Sequence, residues 1–499
     1  MRNDYPENLL YYNQFVIGPS YIDNLKLWDK IQIDKNVFLT KHPDLNVSQI
    51  EDREKSITLL GYILDPFIPK DNDQEILKRL LKEFQNHDNL IKNTYMYGGR
   101  WILILKDRNG IKLIHDAFGL RQVFYTDIYK TKDLWCASQP SIIAERLNLG
   151  MDFEAVNYVN SISKKDKEYW WPGDSSPYKE IKHLLPNHYL DFQLGQCKRY
   201  WPEANLSKIS LEIAVENISV IITGLMKSAC NRYDMALAIT AGWDSRLVLA
   251  SAKDIRDRIS YFTTKQMNMS NDHADLTVPS ILLTQFNLKH NVLSKTNNLN
   301  KNFLSIYNKN VPFAHYAWAA DAQVEYEYNK KKKVAVTGSV SEVARNFYGL
   351  HERQDQISGE ILSNLCKMGK NSFAVGHFNN WLEGIRCNLY NYYLLDLLYW
   401  EQRSGKWLAM GQLEFDIAWK DIFTPYNCRN LIMNMLSVDI ENRIPPKYKL
   451  YERLILNLWP ELFQVPINPH KETKPISDNK DQKYLKIKLK KYLRTLWKT

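Results

Sequence analysis

Apolar positions along this chain follow two different periods. In the first 200 residues, short apolar runs bounded by turn residues are typical of buried strands. These runs are 56–64, 98–105, 111–114 and 134–138. Between the first two runs, apolar residues recur every three or four positions over 71–84 behind an Asp/Asn cap, which predicts a helix. Paired strands that close on a helix predict a layered α+β domain over residues 1–204.

The second half of the chain alternates strand-like and helical segments. The predicted strands are 235–239, 259–264, 288–293 and 334–338, and the predicted helices are 211–228, 271–286 and 449–459. Strand, helix and strand in right-handed order predict a parallel sheet with ligands at the carboxyl ends of its strands. An α/β domain is therefore expected over 205–468. A stripe of leucine and aromatic residues at 390–400 is typical of a core, and we interpret it so.

Composition is that of an ordinary folded protein and argues against several classes. The 499 residues are 44% hydrophobic and 24% charged, which fits two or three domains. The six cysteines are scattered without metal spacing, so a reduced, cytoplasmic protein is expected. The polar start argues against a signal peptide, and there is no apolar run of about 18 residues to predict a transmembrane helix.

The net charge of +10 is local. Much of it lies in Lys330 to Lys333 and in the C-terminal segment 469–499, within which 480–499 predicts a basic amphipathic helix. Two interpretations of this helix stay open. It packs on the preceding domain, or it binds a partner protein or an acidic membrane surface, which would make the protein peripheral to a membrane.

One turn carries the clearest chemical signal. The apolar run 235–239 leads into residues 240–245, of sequence Thr-Ala-Gly-Trp-Asp-Ser. Small residues let the backbone approach a ligand closely, and Asp244 or Ser245 is expected to cap the helix predicted over 247–252. A strand, a small-residue turn and a helix N-terminus predict an anion site, because free N–H groups and the helix dipole point at the turn.

This turn resembles the SGGxDS pyrophosphate loop of the asparagine synthetase family and of related ATP pyrophosphatases. In that family the loop holds the β- and γ-phosphates of ATP while a carboxylate attacks the α-phosphate, and the adenine pocket lies at the next strand. Asp244 is implied to bind Mg²⁺, and Arg246 adds a cation. The residues implied to bind the cofactor ATP are Thr240, Ala241, Gly242, Asp244, Ser245, Phe262 and Thr263.

A second turn, after the strand that ends near Gly338, resembles the family's SG[DE]GxDExxxGY motif. Glu342 takes the place of the acid that binds Mg²⁺ or pyrophosphate, which implies Asp244 and Glu342 as metal ligands. Ser339 takes the place of the acid that faces the amino-acid substrate, and this loss argues against aspartate as the substrate. The implied catalytic residues are Glu342, Arg345 and Arg246.

Two further features of the family are altered. The segment 423–429 resembles its RxPFLD turn, with Asn427 in place of the aspartate and Arg429 as the candidate for a missing upstream arginine. Lys471 and Lys474 are the candidates for the family's pyrophosphate-binding lysine.

The first domain resembles the class II glutamine amidotransferase domain of asparagine synthetases, which is an Ntn-hydrolase fold. The resemblance is carried by 99–102, 116–125 and 137–139. The catalytic N-terminal cysteine is absent, since residue 2 is Arg2 and no cysteine precedes Cys136. Leu60-Gly61-Tyr62 stands where the family has its glutamine-binding Asn-Gly-Glu. A degenerate domain without glutaminase activity is expected, which serves as a scaffold or as a wall of the second active site.

Together these features predict a degenerate amidotransferase-like domain followed by an ATP-pyrophosphatase domain of the adenine nucleotide α hydrolase-like type. The hypothesis is an ATP- and Mg²⁺-dependent, AMP-forming amide ligase that joins a carboxylate to an amine or ammonia, in glycan or peptide-product biosynthesis. Two alternatives stay open: a non-catalytic assembly protein that kept the fold, and a tRNA-modifying ATP pyrophosphatase. No nucleic-acid partner is expected, because neither catalytic cysteines nor an RNA-binding module is visible.

Overall fold

The computed structural model of the protein describes residues 7–163, 168–266, 269–295, 298–349 and 353–469. The helix predicted over 480–499, and with it Lys471 and Lys474, lies outside the described residues.

The first 200 residues form two six-stranded sheets. The strands are β1 Phe15–Gly18, β2 Asp29–Asp34, β3 Val37–Lys41, β4 Val47–Asp52, β5 Lys55–Leu64, β6 Gly98–Asp107, β7 Gly110–His115, β8 Phe124–Thr126, β9 Cys136–Ala137, β10 Ile181–His183, β11 His188–Asp191 and β12 Gln196–Arg199. The helices are α1 Asp73–Lys82, α2 His87–Asn93, α3 Ile128–Thr131, α4 Pro140–Leu147 and α5 Phe153–Ser163. The sheet orders are β10-β8-β9-β1-β3-β2 and β12-β11-β7-β6-β5-β4, so the chain passes between the two sheets.

Strand β6 shows why these elements form layers. Its side chains alternate between two apolar clusters, as the pleat of a strand requires. Ile102 and Ile104 pack with residues of β1 and β3 between the two sheets. Leu103 and Leu105 point the other way and pack with α1 and α2. The predicted strands and the capped helix in this part of the chain are confirmed, and helix α1 begins after Asn72, whose side chain accepts from the Glu75 N–H in a capping box.

The second part of the chain is built on a five-stranded parallel sheet. Its strands are β13 Met235–Ala238, β14 Ile259–Lys265, β15 His290–Ser294, β16 Val334–Val336 and β17 Asp421–Phe423. Its helices are α6 Leu211–Arg232, α7 Trp243–Ser251, α8 Ala274–Gln285, α9 Lys301–Asn310, α10 Ala319–Asn329, α11 Gly359–Leu365, α12 Ser372–Arg386, α13 Leu394–Leu398, α14 Ala409–Phe415, α15 Arg429–Leu436 and α16 Lys449–Leu458. A π-helix, Tyr399–Leu408, joins α13 to α14.

The order of this sheet, β15-β14-β13-β16-β17, creates a switch point between β13 and β16. From β13 the chain builds outward through β14 to β15, then returns to add β16 and β17 on the other side. The turns that leave β13 and β16 therefore lie side by side where the order reverses, and a crevice is expected there at the carboxyl edge of the sheet. Crevices of this kind bind ligands in open parallel sheets, so the sheet order itself locates the candidate site.

One predicted boundary is wrong. Helix α7 begins at Trp243, its N-cap is Gly242, and no side chain caps it. Asp244 therefore lies inside the first helical turn and does not cap the helix. Ser245 does not cap it either, because its hydroxyl faces back to Thr240, whose N–H donates to Ser245 Oγ at 3.1 Å.

Buried ion pairs join the first part of the chain to the parallel sheet. Arg100 on β6 lies 2.5 Å from Asp416 and 3.0 Å from Asp421, and all three side chains are largely buried. Arg121 lies 2.6 Å from the second oxygen of Asp421, which begins the edge strand β17. Tyr62 adds a hydrogen bond from its hydroxyl to the Ile422 carbonyl oxygen. The two parts therefore share one polar, solvent-excluded junction.

Within the described ranges, one helix is long and apolar enough to cross a membrane when judged by length and composition. It is Leu211–Arg232, and 67% of its most apolar window is buried within the protein, as in a core helix.

Removal of the arginine at the junction should destabilise the whole protein. In Arg100→Met, Asp416 loses its charge partner inside the protein, and breaking such a buried pair costs about 3–5 kcal/mol of unfolding free energy. Urea denaturation measures this loss. The matched control is Lys30→Met, which breaks an exposed ion pair with Asp23 and should leave the unfolding curve unchanged. Equal losses in both variants would contradict a structural role for the junction.

Candidate functional site

The turn that follows β13 is open at its tip. Thr240 is exposed, and Gly242 is half-buried with φ −81°. A Cβ at Gly242 would meet no atom closer than Thr240 Oγ1 at 3.5 Å, so space remains above the turn. Because α7 begins at Trp243, its first N–H groups face this space, as a binding site for an anion requires.

The turn that follows β16 packs directly against the first. A Cβ at Gly338 would lie 2.9 Å from the Asp244 carbonyl carbon and from the Ser245 nitrogen, so only glycine permits this approach. The hydroxyl of Ser341 donates to Asp244 Oδ1, and Arg345 donates to Asp244 Oδ2 at 2.6 Å. The two motifs that were noted separately in the sequence therefore form one cluster.

Two carboxylates share one guanidinium in this cluster. Arg345 Nη2 lies 2.6 Å from Asp244 and 3.9 Å from Glu342. Glu342 Oε2 is buried and has no hydrogen-bond partner among the described residues. Burial, and then the nearby negative charge of Glu342, raises the pKa of Asp244 from its ordinary 3.8 to about 7. The cluster is therefore short of positive charge.

This shortage fits a divalent cation that arrives with a phosphate ligand. Mg²⁺ is commonly held by one or two carboxylates, with substrate phosphates and water filling the other positions. Asp244 and Glu342 supply two such carboxylates. In the part of the chain that the structure describes, no group of three or more His, Cys, Asp or Glu side chains is arranged to hold a metal by itself. The remaining ligands would have to come from the substrate and from water.

The structure gives Arg246 a different position from the predicted one. Its side chain is fully buried, and its guanidinium donates to the carbonyl oxygens of Leu462, Val465 and Pro466 at 2.7 to 3.2 Å. It anchors the 460–469 segment beneath α7 and is not accessible to a ligand. The prediction that Arg246 acts on the substrate is therefore not supported, because it sits on the buried face of the helix.

Two other residues that were predicted to bind the nucleotide are already hydrogen-bonded within the protein. The N–H of Ala241 donates to Asp275 Oδ1 at 2.9 Å, and its carbonyl oxygen accepts from the Asn468 N–H at 3.0 Å. Thr263 donates its hydroxyl to the Ile239 carbonyl oxygen at 2.6 Å. Ala241 and Thr263 therefore shape the site. Thr240 is exposed at the tip of the turn, although its hydroxyl accepts from the Gly242 N–H at 3.3 Å.

A cleft of about 350 Å³ lies beside the two turns. Thr240, Phe262, Thr263 and Ser339 line it, so the predicted nucleotide residues and the altered acid position meet at one place. Its remaining walls come from α10, the π-helix, α14 and their flanking loops. They include Trp318, Glu325, Trp407, Gly411, Gln412, Phe415 and Trp419. Sequence reasoning missed these residues, because aromatic side chains in helical segments have the same pattern as a core.

Asn427 and Arg429 belong to the junction. Asn427 donates to the Gly99 carbonyl oxygen at 2.7 Å and accepts from the Phe118 N–H at 3.1 Å. Arg429 is buried, donates to Asn187 at 2.7 Å and lies over aromatic rings such as Trp201. The prediction that Arg429 replaces a substrate-binding arginine is not supported by this position.

Cys136 and Gly61, in the first part of the chain, are both packed inside the protein. Cys136 is fully buried in β9, and burial raises the pKa of its thiol well above the ordinary value, so it is a poor nucleophile. Gly61, at the position of the family's glutamine-binding glycine, packs against the Arg100 carbonyl oxygen and Arg121 instead. The strand there has become part of the junction.

No model of a known protein family matches the chain. A search of curated proteins gives no match either. Among solved structures, the chain is similar to glutamine phosphoribosylpyrophosphate amidotransferase from B. subtilis complexed with ADP and GMP, at 10% identity and a TM-score of 0.24, covering 72% of this chain and 75% of that one.

Two NAD synthetases are similar at the same level. The first is the glutamine-dependent NAD⁺ synthetase from Acinetobacter baumannii in complex with ADP, at 14% identity and a TM-score of 0.21, covering 39% of this chain and 43% of that one. The second is the NH₃-dependent NAD synthetase from Campylobacter jejuni in complex with nitrate, at 16% identity and a TM-score of 0.21, covering 42% of this chain and 93% of that one. With scores this low, the likeness defines neither the fold nor the activity, and the sheet order and the contacts above carry the assignment of the site.

The raised pKa of Asp244 should make stability depend on pH. A group whose pKa is higher in the folded state than in the unfolded state stabilises the fold most at low pH, and this contribution is lost as the pH rises through the folded pKa. In EDTA, the unfolding free energy of the wild type relative to Asp244→Asn should fall by about 2 kcal/mol between pH 5 and pH 8. Urea denaturation at both pH values checks this, and a constant or rising difference would contradict it.

Proposed function

We propose that this protein is an ATP-dependent, AMP-forming amide ligase. It adenylates a carboxylate and transfers the acyl group to an amine or to ammonia. The observation that carries the proposal is the meeting of Asp244 and Glu342 above an open helix N-terminus at the switch point of a parallel sheet. The two turns that resemble motifs of one family contact each other, which supports the proposal.

The proposed chemistry follows from this arrangement. The turn 240–245 and the N-terminus of α7 hold the β- and γ-phosphates, and Asp244 and Glu342 hold Mg²⁺, which supplies charge neutralisation to the leaving pyrophosphate. Arg345, at the same cluster, would pair with a phosphate oxygen. The substrate carboxylate attacks the α-phosphorus. An amine then attacks the acyl carbon and releases AMP.

The substrate is proposed to differ from aspartate. Ser339 lines the cleft where the resembling family has an acid, and no lysine or arginine lines the cleft among the residues that the structure describes. We propose an acid of glycan or peptide origin instead. Because Gly61, at the glutamine-binding position implied by the resemblance, is packed into the junction, the nitrogen is proposed to come from ammonia, a partner protein or the substrate's own amine.

The reaction is tested with ATP labelled at the α-phosphate. The protein, Mg²⁺ and candidate acids are incubated with hydroxylamine, which traps an acyl-adenylate as a hydroxamate. The label should appear in AMP, and Asp244→Ala and Glu342→Ala should each lower its release by at least about a hundredfold, since both remove charge stabilisation from the leaving group. Ammonium should support amide formation and glutamine should not. Label in ADP would overturn the mechanism.

Binding of ATP to the turn can be tested apart from chemistry. Gly242→Ala is compatible with the fold, since φ is −81° and the nearest atom would be 3.5 Å away, but its methyl group would occupy the space above the turn. Calorimetry with ATP–Mg²⁺ should show at least about a tenfold loss of affinity, as expected when a phosphate loses its backbone contacts. Gly376→Ala is the control, because a Cβ there meets no atom within 4 Å. A wild-type chain that fails to bind ATP–Mg²⁺ would favour the assembly protein.

A further inference from the structure

The cleft beside the turns contains a polar side chain without a partner. Gln412 on α14 lines the cleft and is 4% exposed. Neither Oε1 nor Nε2 makes a hydrogen bond with any residue that the structure describes. Buried amides in native proteins are nearly always paired, and leaving both ends unpaired costs stability. The retention of glutamine here therefore points to a ligand that pairs with it.

The walls of the cleft define the shape and charge of that ligand. Aromatic rings line both sides: those of Phe262 and Trp419 are 5.1 Å apart, and those of Trp318 and Trp407 are 5.6 Å apart at 79°. Such surfaces favour a flat group with apolar faces.

The acids of the cleft are already paired. Asp275 accepts from the Ala241 N–H, and Glu325 accepts from Thr264 and from the Trp419 indole, each at 2.7 Å. No lysine, arginine or histidine lines the cleft within the described ranges. The part of the ligand that enters is therefore uncharged, and it presents a donor beside an acceptor to Gln412.

We propose that Gln412 reads the edge of the purine base in the adenine pocket that the sequence resemblance implies beside Phe262 and Thr263. The inference rests on the proposed function and adds a specificity-determining residue to it. Glutamine can bind adenine with two hydrogen bonds, in which Nε2 donates to a ring nitrogen and Oε1 accepts from the exocyclic amine. Thr240 lines the cleft and also begins the phosphate turn, so a base in the cleft directs its phosphates to 240–245. A volume of about 350 Å³ accommodates a nucleoside.

A double-mutant cycle between protein and ligand tests this. The affinities of wild type and Gln412→Met are measured by calorimetry for ATP and for purine riboside 5′-triphosphate, which lacks the exocyclic amine, each with Mg²⁺. Wild type should bind the analogue about tenfold or more weakly than ATP, because Oε1 then stays buried and unpaired. Gln412→Met should bind ATP about tenfold more weakly than wild type and should make little distinction between the two nucleotides.

A second measurement separates ligand recognition from folding. Methionine has a similar volume and no polar group, so Gln412→Met should keep or raise the midpoint of thermal unfolding without nucleotide. The matched control is Gln14→Met. The amide of Gln14 is paired with the Asn310 carbonyl oxygen at 2.8 Å and with Ser138. This variant should lower the midpoint and leave ATP affinity unchanged.

A second variant keeps the test decisive if Gln412→Met does not fold. In Gln412→Glu at pH above 8, the carboxylate accepts but cannot donate, so ATP affinity should fall about tenfold. GTP affinity should rise relative to ATP, because guanine presents two adjacent donors.

The failures are distinguishable. Wild type that does not bind ATP overturns this inference together with the proposed function. A second outcome is that wild type binds ATP, Gln412→Met loses as much affinity for the analogue relative to ATP as wild type does, and Gln412→Glu keeps the nucleotide preference. This outcome overturns only the assignment of Gln412 and places the amide against the acyl or amine substrate.

Discussion

The close approach of two turns at the switch point of the parallel sheet is the constraint on which the candidate site depends. Gly338 lies so near the backbone of Asp244 and Ser245 that any side chain would force the turns apart. Because they touch, Ser341 and Arg345 reach the carboxylate of Asp244, and Glu342 joins the same cluster. A separation of even one side-chain diameter would turn one charged cluster into two unrelated surface turns.

The first part of the chain supports this geometry. Its strand β6 sends Arg100 into the acids beside β17, and Tyr62 and Asn427 add hydrogen bonds across the same junction. These contacts fix the edge strand next to β16, from which the second turn departs. Gly61 packs against the Arg100 carbonyl oxygen and Arg121 at this junction, so the parallel sheet is built against the first part of the chain.

The sequence predicted the parts of the fold that depend on local pattern. The strands that precede Thr240 and Gly338 and the capped helix α1 follow from hydrophobic period and turn residues within a few positions. Arg246 could not be placed in this way, since its partners lie 216 to 220 residues away. Gln412 gave no signal either, because a glutamine in an aromatic helix differs from its neighbours only when its missing hydrogen bonds are visible.

The groups of the site that lack partners are arranged from a charged end at the turns to a neutral end in the cleft, as the phosphates and base of a nucleotide are. At the two turns, Asp244 and Glu342 share a single guanidinium, so that end lacks positive charge and suits a metal-bound polyphosphate. In the cleft, Gln412 lacks neutral hydrogen-bond partners among the described residues, so that end suits a flat, uncharged base. Buried polar groups without partners lower stability, and functional sites are where proteins tolerate them. Here the missing positive charge at the turns and the missing hydrogen bonds of Gln412 lie next to each other at one edge of the parallel sheet.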